Sequence, residues 1–184
     1  DVKRWRCNFA DCYLIKIESS ENKTHPWSGK SAKEAENIFA KTFPAIHAFF
    51  ETMRDSLIKR YDQGEFFWEL RSCDYWQEFE QPKIVYPDIA PSAQFAWDEQ
   101  GRFLVNTSYI LVAPKWMLDV LNSSPILWFY RNTSNAIRGG YLRFIRQYVE
   151  QIPIPPASPA DKARLTALAE RAAKQSEAGD AAGL

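Results

Sequence analysis

The stretch between residues 66 and 112 constrains the fold most, because five short runs within it favour β-strands. These runs are rich in Val, Ile, Phe, Tyr and Trp, whose β-branched and aromatic side chains suit a pleated, half-buried surface. Between two of them, residues 98–101 end in a glycine, which is typical of a hairpin loop. The sequence therefore predicts a β-rich central sheet. The runs cover residues 66–68, 83–86, 94–97, 102–105 and 109–112.

Helical patterns precede this predicted sheet. Ser31 and Glu34 have the spacing of a capping box, in which each side chain accepts a hydrogen bond from an amide at the helix start, and this helix is predicted to reach about Thr42. After Pro44, apolar residues recur at helical spacing over residues 46–61. We expect this second helix to be amphipathic and to pack on the core; a partner-binding face is the alternative.

The order of elements predicts the fold class. Strands mixed with helices indicate an α+β fold, with a β-rich central sheet, packed helices and a C-terminal helix. The remaining predicted elements are strand, turn and strand over 2–17, a loop over 19–30, short helices after Pro114 and over 125–131, a loop over 132–140, a strand over 141–149, an extended segment over 152–156, and a helix from 158.

Composition indicates a packed globular protein. Apolar residues make up 46% of the chain and aromatic residues 15%, which argues against wholesale disorder. The sequence contains neither a run of about 18 apolar residues nor a signal-peptide pattern, so we expect a cytoplasmic protein without a membrane partner. Three cysteines and two histidines, in no metal-binding spacing, predict no metal site. The chain opens on Asp1 without an initiator Met, and we expect it to be an excised fragment.

The neutral net charge hides an uneven distribution. The 23 basic residues equal the 23 acidic ones, yet residues 60–100 hold three basic and nine acidic residues, whereas residues 101–148 hold six basic and one acidic. The second of these segments therefore has a formal charge of 6 − 1 = +5. Such a segment suits contact with phosphates, although surface ion pairs with the acidic segment are an alternative explanation.

Motifs that carry catalysis are missing from the sequence. It has no Gly-rich phosphate loop, no nucleophile elbow and no Asn-Pro-Pro-aromatic motif of the kind that DNA amino-methyltransferases use. A nuclease site built from Glu69, Asp74, Glu80 and Lys83 is disfavoured, because Pro82 precedes Lys83 and the Glu-x-Lys spacing is absent. We therefore expect no catalytic residue and no cofactor in this chain.

Aromatic residues are dense around the predicted sheet. Trp68, Tyr75, Trp76 and Tyr86 are predicted to fill the core rather than to stack on bases, because aromatic side chains supply much of the buried surface of a small domain.

Several landmarks in a fixed order carry a family resemblance. Together they resemble the TaqI-like C-terminal specificity domain, the target-recognition module that follows the methyltransferase part of type IIG restriction-modification enzymes and related adenine-specific DNA methyltransferases. Val2 to Trp5 resembles the end of the family's entry strand. The other landmarks are residues 68–76 (WELRSCDYW), 80–87 (EQPKIVYP), 121–123 (LNS), 139–144 (GGYLRF) and 152–155 (IPIP).

The resemblance implies a function and a set of partners. The chain would recognise double-stranded DNA beside the methyltransferase domain of the same parent chain, which would bind S-adenosylmethionine and receive the flipped adenine. Residues 1–157 would form the recognition domain, residues 158–178 a spacer-like helix and residues 179–184 a disordered tail. The candidate DNA contacts are Lys3, Arg4, Arg71, Lys83, Arg131, Asn135, Arg138, Arg143 and Arg146.

Two alternatives remain open at this point. The first is a protein-interaction module whose apolar helix over residues 46–61, or whose C-terminal helix, binds a partner without touching DNA. The second is a diverged nuclease or transferase. A salt-dependent affinity for DNA distinguishes the recognition domain from the first alternative, and catalytic turnover is required for the second.

Overall fold

The computed structural model describes residues 1–137 and 139–181. These residues form two compact units. We call Tyr13–Trp76 the aromatic unit, and Asp1–Cys12 together with the described residues from Gln77 onward the sheet unit. The α+β prediction is confirmed. The helices are α1 (Ala32–Thr42), α2 (Pro44–Glu51), α3 (Arg54–Ile58), α4 (Trp76–Glu80), α5 (Met117–Leu121), α6 (Ser124–Thr133), α7 (Arg146–Val149) and α8 (Pro159–Ala181).

The described strands are short and antiparallel within each sheet. Strands β1 and β2 pair as a hairpin, a second sheet has the order β5-β3-β6, and a third has the order β4-β8-β7. The strands are β1 (Val2–Lys3), β2 (Arg6–Cys7), β3 (Lys83–Pro87), β4 (Ile89–Ala90), β5 (Ala96–Asp98), β6 (Ser108–Leu111), β7 (Ala136–Ile137) and β8 (Tyr141–Arg143).

Strand β3 is the centre of the sheet unit. Its residues 83–86 are buried on both faces, so Ile84 and Tyr86 pack into one apolar core with Phe95, Leu118 and Leu121 from the flanking segments. Tyr86, 4% exposed, is a core residue as predicted. A strand with two buried faces shows a continuous apolar run rather than alternation, and residues 84–86 form such a run.

Stacked rings form the core of the aromatic unit. The ring of Trp68 is parallel to that of Phe39 at 4.8 Å and to that of Phe66 at 4.8 Å, and Trp27 meets Phe39 edge-on at 5.4 Å. Trp68 is 4% exposed, which confirms its predicted place in the core. Tyr75 was predicted wrongly, because 44% of it is exposed, and Trp76 is only half-buried.

The cap of helix α1 is confirmed. The hydroxyl of Ser31 accepts a hydrogen bond from the Glu34 amide at 3.4 Å, and the helix ends at Thr42 as predicted. The hydroxyl therefore satisfies one of the amides that a helix start leaves without a backbone partner.

The predicted helix over residues 46–61 is two short helices, α2 and α3. The break lies at Thr52 and Met53, where the Thr52 hydroxyl donates to the Phe49 carbonyl at 2.7 Å. Such local bonds compete with helix continuation. Phe50 is buried, but Phe49 is 51% exposed and Tyr61 is fully exposed, so the predicted continuous core-facing stripe is wrong.

Two of the five predicted central strands are wrong. Residues 66–68 form a turn because the Glu69 carboxylate accepts hydrogen bonds from the amides of Glu65 and Phe66. Residues 102–105 leave the sheet because the Asp98 carboxylate accepts from the Arg102 amide at 2.9 Å, so no hairpin forms there. In both places a side chain takes the backbone donors that a strand would need.

One further predicted strand is wrong, and another is shorter than predicted. Residues 13–17 have no strand partner in the described structure, and the strand predicted over residues 141–149 ends at Arg143 and is followed by α7. The Phe144 amide donates to the Asp88 carbonyl at 2.6 Å, and the chain then turns into the helix.

The helical predictions in the second half are confirmed with shifted ends. The helix expected after Pro114 begins at Met117, and the helix expected over 125–131 spans Ser124–Thr133. The C-terminal helix α8 reaches Ala181, three residues past the predicted 178, and residues 182–184 lie outside the described part. None of the described helices combines the length and apolar character required to span a membrane.

Candidate nucleic-acid interface

Tyr130 holds together three elements that carry the candidate arginines Arg131, Arg143 and Arg146. It lies on α6 and is 1% exposed. Its hydroxyl donates to the Arg143 carbonyl of β8 at 2.8 Å, its ring stacks on Phe144 at 4.4 Å, and it meets Tyr148 of α7 edge-on at 6.5 Å. Helix α6, strand β8 and helix α7 are thus positioned by one buried ring. We call this cluster of three elements the Tyr130 scaffold.

The ionisation of Tyr130 suits this role. Burial raises the pKa of its phenol well above the ordinary value, and the negative potential of Tyr86, Tyr148 and Asp88 adds to the shift. The hydroxyl therefore keeps its proton and remains a hydrogen-bond donor to the Arg143 carbonyl at every pH at which a protein of this kind works.

A β-hairpin projects from the Tyr130 scaffold. In β7 and β8, Ile137 faces Tyr141, and Gly139 and Gly140 in the turn have φ values of +86° and +78°. Only glycine adopts such angles at no steric cost. At its base, the side-chain amide of Asn135 donates to the Tyr148 hydroxyl at 2.7 Å, which ties the hairpin to α7.

Strand β8 divides its side chains between core and solvent. Leu142 is buried at 3%, whereas Tyr141 is 43% exposed and the Arg143 side chain is 53% exposed. Successive side chains of a strand point to opposite faces, so Tyr141 and Arg143 share the outward face. Ile89 of β4, which is paired directly with Arg143, is 48% exposed and lies on that face too.

Asp88 lies against the Arg143 side chain. Its Oδ1 atom is 3.5 Å from the Arg143 Nε atom, and among the described residues this buried oxygen accepts no hydrogen bond. The backbone of Asp88 is fixed on both sides, since its amide donates to Thr107 and its carbonyl accepts from Phe144. The carboxylate is therefore a rigid neighbour of the guanidinium.

The other arginines of the +5 segment are held more loosely. Arg131 lies exposed in the last turn of α6, and no ion pair involves it within the described part of the chain. The Arg146 side chain is 89% exposed and lies 3.3 Å from Glu150 of its own helix. Arg138 lies outside the described residues.

The structure corrects the prediction that Lys83 belongs to the interface. Its side chain is completely buried, and its Nζ atom donates to Asp98 at 2.6 Å and to the Phe79 carbonyl at 2.5 Å. Burial opposes ionisation of Asp98, but hydrogen bonds from Lys83 and from the amides of Arg102 and Gln100 outweigh it and lower the pKa of the carboxyl. Lys83 therefore stabilises the sheet, and its side chain is not on the surface as a DNA contact requires.

The remaining candidates lie outside the Tyr130 scaffold in the sequence. Lys3 is exposed beside Asp1 at 4.0 Å on β1. Arg4 donates to the Asn122 carbonyl at 2.6 Å and lies over the Trp5 ring at 5.3 Å. These contacts help to hold the β1-β2 hairpin in place. Arg71 is exposed and belongs to the aromatic unit.

Asn122 is an organising residue whose role the sequence did not reveal. It is 2% exposed, its Nδ2 atom donates to the Phe95 carbonyl at 2.8 Å, and its Oδ1 atom accepts from the Phe95 amide at 3.1 Å. A buried amide that satisfies both backbone groups of one residue acts like an extra strand partner. The sequence indicated a role for Asn122 only through its position in the Leu-Asn-Ser landmark. For Asp88, the neighbour of Arg143, no sequence pattern indicated a role.

Three residues of types that can bind metal ions lie together in the aromatic unit. Atoms of Glu36, His47 and Glu51 lie within 4.8 Å of one another. The Arg54 guanidinium already donates to both carboxylates, at 2.5 Å to each, and its hydrogen bond to Glu36 lowers the pKa of that carboxyl. The cluster is accounted for as an ion-pair network that joins α1, α2 and α3.

The carboxylates considered for a nuclease are engaged by the protein. Glu69 is fully buried and accepts hydrogen bonds from Trp27 Nε1 at 2.9 Å and from the Ser20 hydroxyl at 2.6 Å, besides the amides described above. Asp74 accepts from the Asn22 side chain at 2.7 Å. These contacts give Glu69 a structural role in the core of the aromatic unit.

Comparison with known proteins agrees with the expected class, a specificity domain. The family model of the TaqI-like C-terminal specificity domain matches residues 1–154, and the chain belongs to this family. The chain is also similar to Type II methyltransferase M.XhoI of Xanthomonas vasicola, with 33% identity over 95 residues, which is 50% of this chain and 17% of that protein.

More distant relatives have the same description. Type II methyltransferase M.BstVI of Geobacillus stearothermophilus is 24% identical over 144 residues, or 70% of this chain and 25% of that protein. Type II methyltransferase M.BanIII of Aneurinibacillus aneurinilyticus is 23% identical over 128 residues, which is 61% of this chain and 22% of that protein. The matched region of this chain thus spans about a quarter or less of the length of these relatives.

Proposed function

We propose that this chain is the DNA target-recognition part of a site-specific adenine-N6 DNA methyltransferase of a restriction-modification system. The observation that carries the proposal is the family match over residues 1–154. The methyltransferase part of the same polypeptide would bind S-adenosylmethionine and receive the flipped adenine, while this chain selects the site and catalyses nothing. The much greater length of the relatives, which are named as methyltransferases, supports this division.

The Tyr130 scaffold supports a specific DNA-facing surface. Arg131, Arg143 and Arg146 lie on elements that converge on Tyr130, and all three are exposed. Asn135 and the hairpin turn extend the same region. We propose that double-stranded DNA contacts this surface. Arg138, which belongs to the same stretch of the sequence, is proposed as a further contact. We also propose Lys3, Arg4 and Arg71 as DNA contacts outside this surface.

A fluorescence-anisotropy titration of the chain with duplex DNA tests the proposal. We expect weak binding with little sequence selectivity, with a Kd of about 10⁻⁴–10⁻⁶ M that weakens steeply between about 50 and 200 mM salt, because a partner that shares the phosphate contacts is missing. Arg131→Ala with Arg146→Ala should reduce the salt slope. Tight binding that does not respond to salt contradicts the electrostatic account.

A matched control uses the C-terminal helix. Arg164→Ala with Lys174→Ala removes the same charge from exposed positions of α8. We expect this variant to bind DNA with the wild-type salt slope. If both double variants lose affinity equally, net charge rather than the Tyr130 scaffold determines binding.

Exposed apolar side chains in the aromatic unit favour a second candidate function, protein–protein interaction. Phe49 is 51% exposed, Met53 37% and Ile58 47%, and all three lie in or beside α2 and α3. Such side chains are typical of interface cores. Phe49→Ser with Ile58→Ser should leave DNA affinity unchanged. If the wild-type chain shows no salt-dependent DNA binding, this second function replaces the first.

A further inference from the structure

We infer that Arg143 reads a guanine base in the major groove of the target site, and that Asp88 orients it for this purpose. The inference rests on the proposed function and assigns separate tasks to the arginines of one surface. Arg143 would specify a base pair, whereas Arg131 and Arg146 would contact phosphates. Asp88 is then a positioning residue, since it acts through Arg143.

The first argument is the geometry of the guanidinium. A guanine presents two acceptors, O6 and N7, and an arginine pairs with both through two N–H groups of its planar fork. In this protein the Arg143 Nε atom faces Asp88 at 3.5 Å. No hydrogen bond of its two Nη atoms to another described residue is present. The two Nη atoms, which would pair with guanine, are therefore available to DNA.

The second argument is rigidity. Arg143 belongs to β8, the middle strand of the β4-β8-β7 sheet, and its carbonyl accepts from the buried Tyr130 hydroxyl at 2.8 Å. The next residue donates its amide to the Asp88 carbonyl at 2.6 Å. The backbones of Asp88 and Arg143 therefore cannot shift independently. A base contact needs a fixed approach direction, whereas a phosphate contact does not.

The third argument is charge. The Asp88 carboxylate, with a side chain only 20% exposed, offsets part of the positive charge of Arg143. A phosphate near Arg143 would also meet the negative charge of Asp88 and would gain less than at an arginine without such a neighbour. The acceptors of guanine are uncharged and gain from an oriented N–H pair even when its net charge is offset. Arg146 also has a carboxylate neighbour, Glu150 at 3.3 Å, but both of these side chains are more than half exposed, at 89% and 57%. Water screens such an exposed pair, so Arg146 suits a phosphate.

The fourth argument is the surface around the guanidinium. Ile89 and Tyr141, 48% and 43% exposed, lie on the same outward sheet face as Arg143. Ile89 and the ring of Tyr141 can exclude water from a base contact at this guanidinium. Ile89 is directly opposite Arg143 in the strand register and is placed to meet an apolar base edge such as a thymine methyl group.

The test uses the natural polypeptide that contains this chain and measures methylation of a randomised plasmid library by sequencing of the modified adenines. We expect the wild type to methylate one defined site that contains a G·C pair. Arg143→Ala and Arg143→Lys should both reduce discrimination at one such pair by about 5- to 150-fold, because lysine keeps the charge but lacks the fork. Asp88→Asn should relax the same position to a smaller extent.

Two matched variants separate the possible roles. Arg146→Ala should weaken methylation equally at all sites and reduce the salt slope of DNA binding, without changing site choice. Arg143→Ala combined with Asp88→Asn should relax selectivity no further than Arg143→Ala alone, because Asp88 acts only through Arg143. A purely structural Asp88 would give additive losses and unchanged site choice.

The outcomes that overturn the inference are distinct. If Arg143→Ala and Arg143→Lys retain wild-type site choice, or if they behave like Arg146→Ala, Arg143 is not a base-reading residue and the proposed recognition function stands without it. If Arg143→Ala fails to fold, the site choice of Arg143→Lys distinguishes base reading from phosphate contact by the same measure. If the wild type neither binds DNA in a salt-dependent way nor methylates a defined site, the proposed function falls, and this inference falls with it.

Discussion

Asp98 is the residue on which the edge of the β5-β3-β6 sheet depends. Its carboxylate is fully buried and accepts from the Lys83 ammonium at 2.6 Å, from the Arg102 guanidinium at 2.9 Å and from the Arg102 amide at 2.9 Å. A buried carboxylate is tolerated only when it is paired and hydrogen-bonded. Asp98 meets this condition, and in doing so it ends strand β5 and sends the following residues away from the sheet.

The lowered pKa of Asp98 predicts a dependence of stability on pH. A carboxyl whose pKa is lower in the folded state than in the unfolded state stabilises the fold fully above its unfolded pKa, about 3.9. This contribution is lost as the pH falls through the folded-state pKa. Asp98→Asn should cost about 3–5 kcal/mol at neutral pH, because it leaves Lys83 buried and unpaired, and its deficit should shrink in acid.

Urea unfolding at a series of pH values measures this effect. Asp55→Asn is the control, since Asp55 lies exposed on α3 and such positions change stability by at most about 0.5 kcal/mol. A deficit for Asp98→Asn that stays constant down to strongly acidic pH contradicts a stabilising role for the ionised carboxylate.

At the scale of elements, helix α6 positions several of its neighbours. Its Ser123 cap accepts from the Ile126 amide at 3.4 Å, and its buried Tyr130 contacts β8 and α7. One helix of ten residues therefore sets the position of the hairpin and of the elements that carry Arg143 and Arg146.

Tyr130→Phe isolates the hydrogen bond to the Arg143 carbonyl. The ring and its stacking remain, so the loss in free energy of unfolding should be about 0.5–1.5 kcal/mol. Tyr61→Phe, at a fully exposed position, should cost nothing measurable. Amide hydrogen exchange should also become faster at Leu142 and Arg143. Unchanged exchange in this hairpin would show that the hydroxyl does not hold β8 in place.

Elements were predictable where one physical signal dominated. The cap at Ser31 and the doubly buried run of β3 identified α1 and β3 because capping and burial act locally. The strand predicted over residues 66–68 failed because the buried Glu69 carboxylate takes the Glu65 and Phe66 amides, a side-chain effect that propensity does not contain. Lys83 failed as a DNA contact for a similar reason, since its partner Asp98 lies 15 residues away.

The candidate interface was predictable in outline from the +5 segment. The arginines of residues 131–146 that the structure describes are exposed, although Arg143 lies beside Asp88 and Arg146 beside Glu150. The pairing of Arg143 with Asp88 was not predictable, since it depends on the register of β4 against β8, which no local pattern encodes.

At the scale of the whole molecule, the two units have separate cores. The aromatic unit packs on Trp27, Phe39 and Trp68, and the sheet unit packs on a core that contains Ile84, Phe95 and Tyr130. A substitution in one core acts first on its own unit.

Trp68→Ala tests this separation. Removal of a buried indole that stacks on two rings should cost the aromatic unit about 3–5 kcal/mol. Trp128→Ala, at a position 70% exposed on α6, should change stability by about 0.5 kcal/mol or less. Denaturation followed by near-ultraviolet circular dichroism checks both variants. Equal losses would contradict the assignment of Trp68 to the core.

A further expectation at this scale concerns the cofactor of methyl transfer. We expect isothermal titration calorimetry of the chain with S-adenosylmethionine to give no binding heat, because the sequence has no Gly-rich loop for the nucleotide. A methyltransferase known to bind this cofactor serves as the positive control. Micromolar affinity in the 184-residue chain would contradict its role as a recognition part without catalysis.

The bridge between Trp5 and Ala96 determines the order in which the chain can fold. The Trp5 amide donates to the Phe95 carbonyl at 3.0 Å, so the first residues complete their pairing with a segment about ninety positions later. Closure of so long a loop is entropically costly and slows folding. The aromatic unit, Tyr13–Trp76, is continuous in sequence and leaves the ribosome earlier. We therefore expect the aromatic unit to fold first during synthesis, and residues 1–12 to complete their pairing only after β5 has emerged.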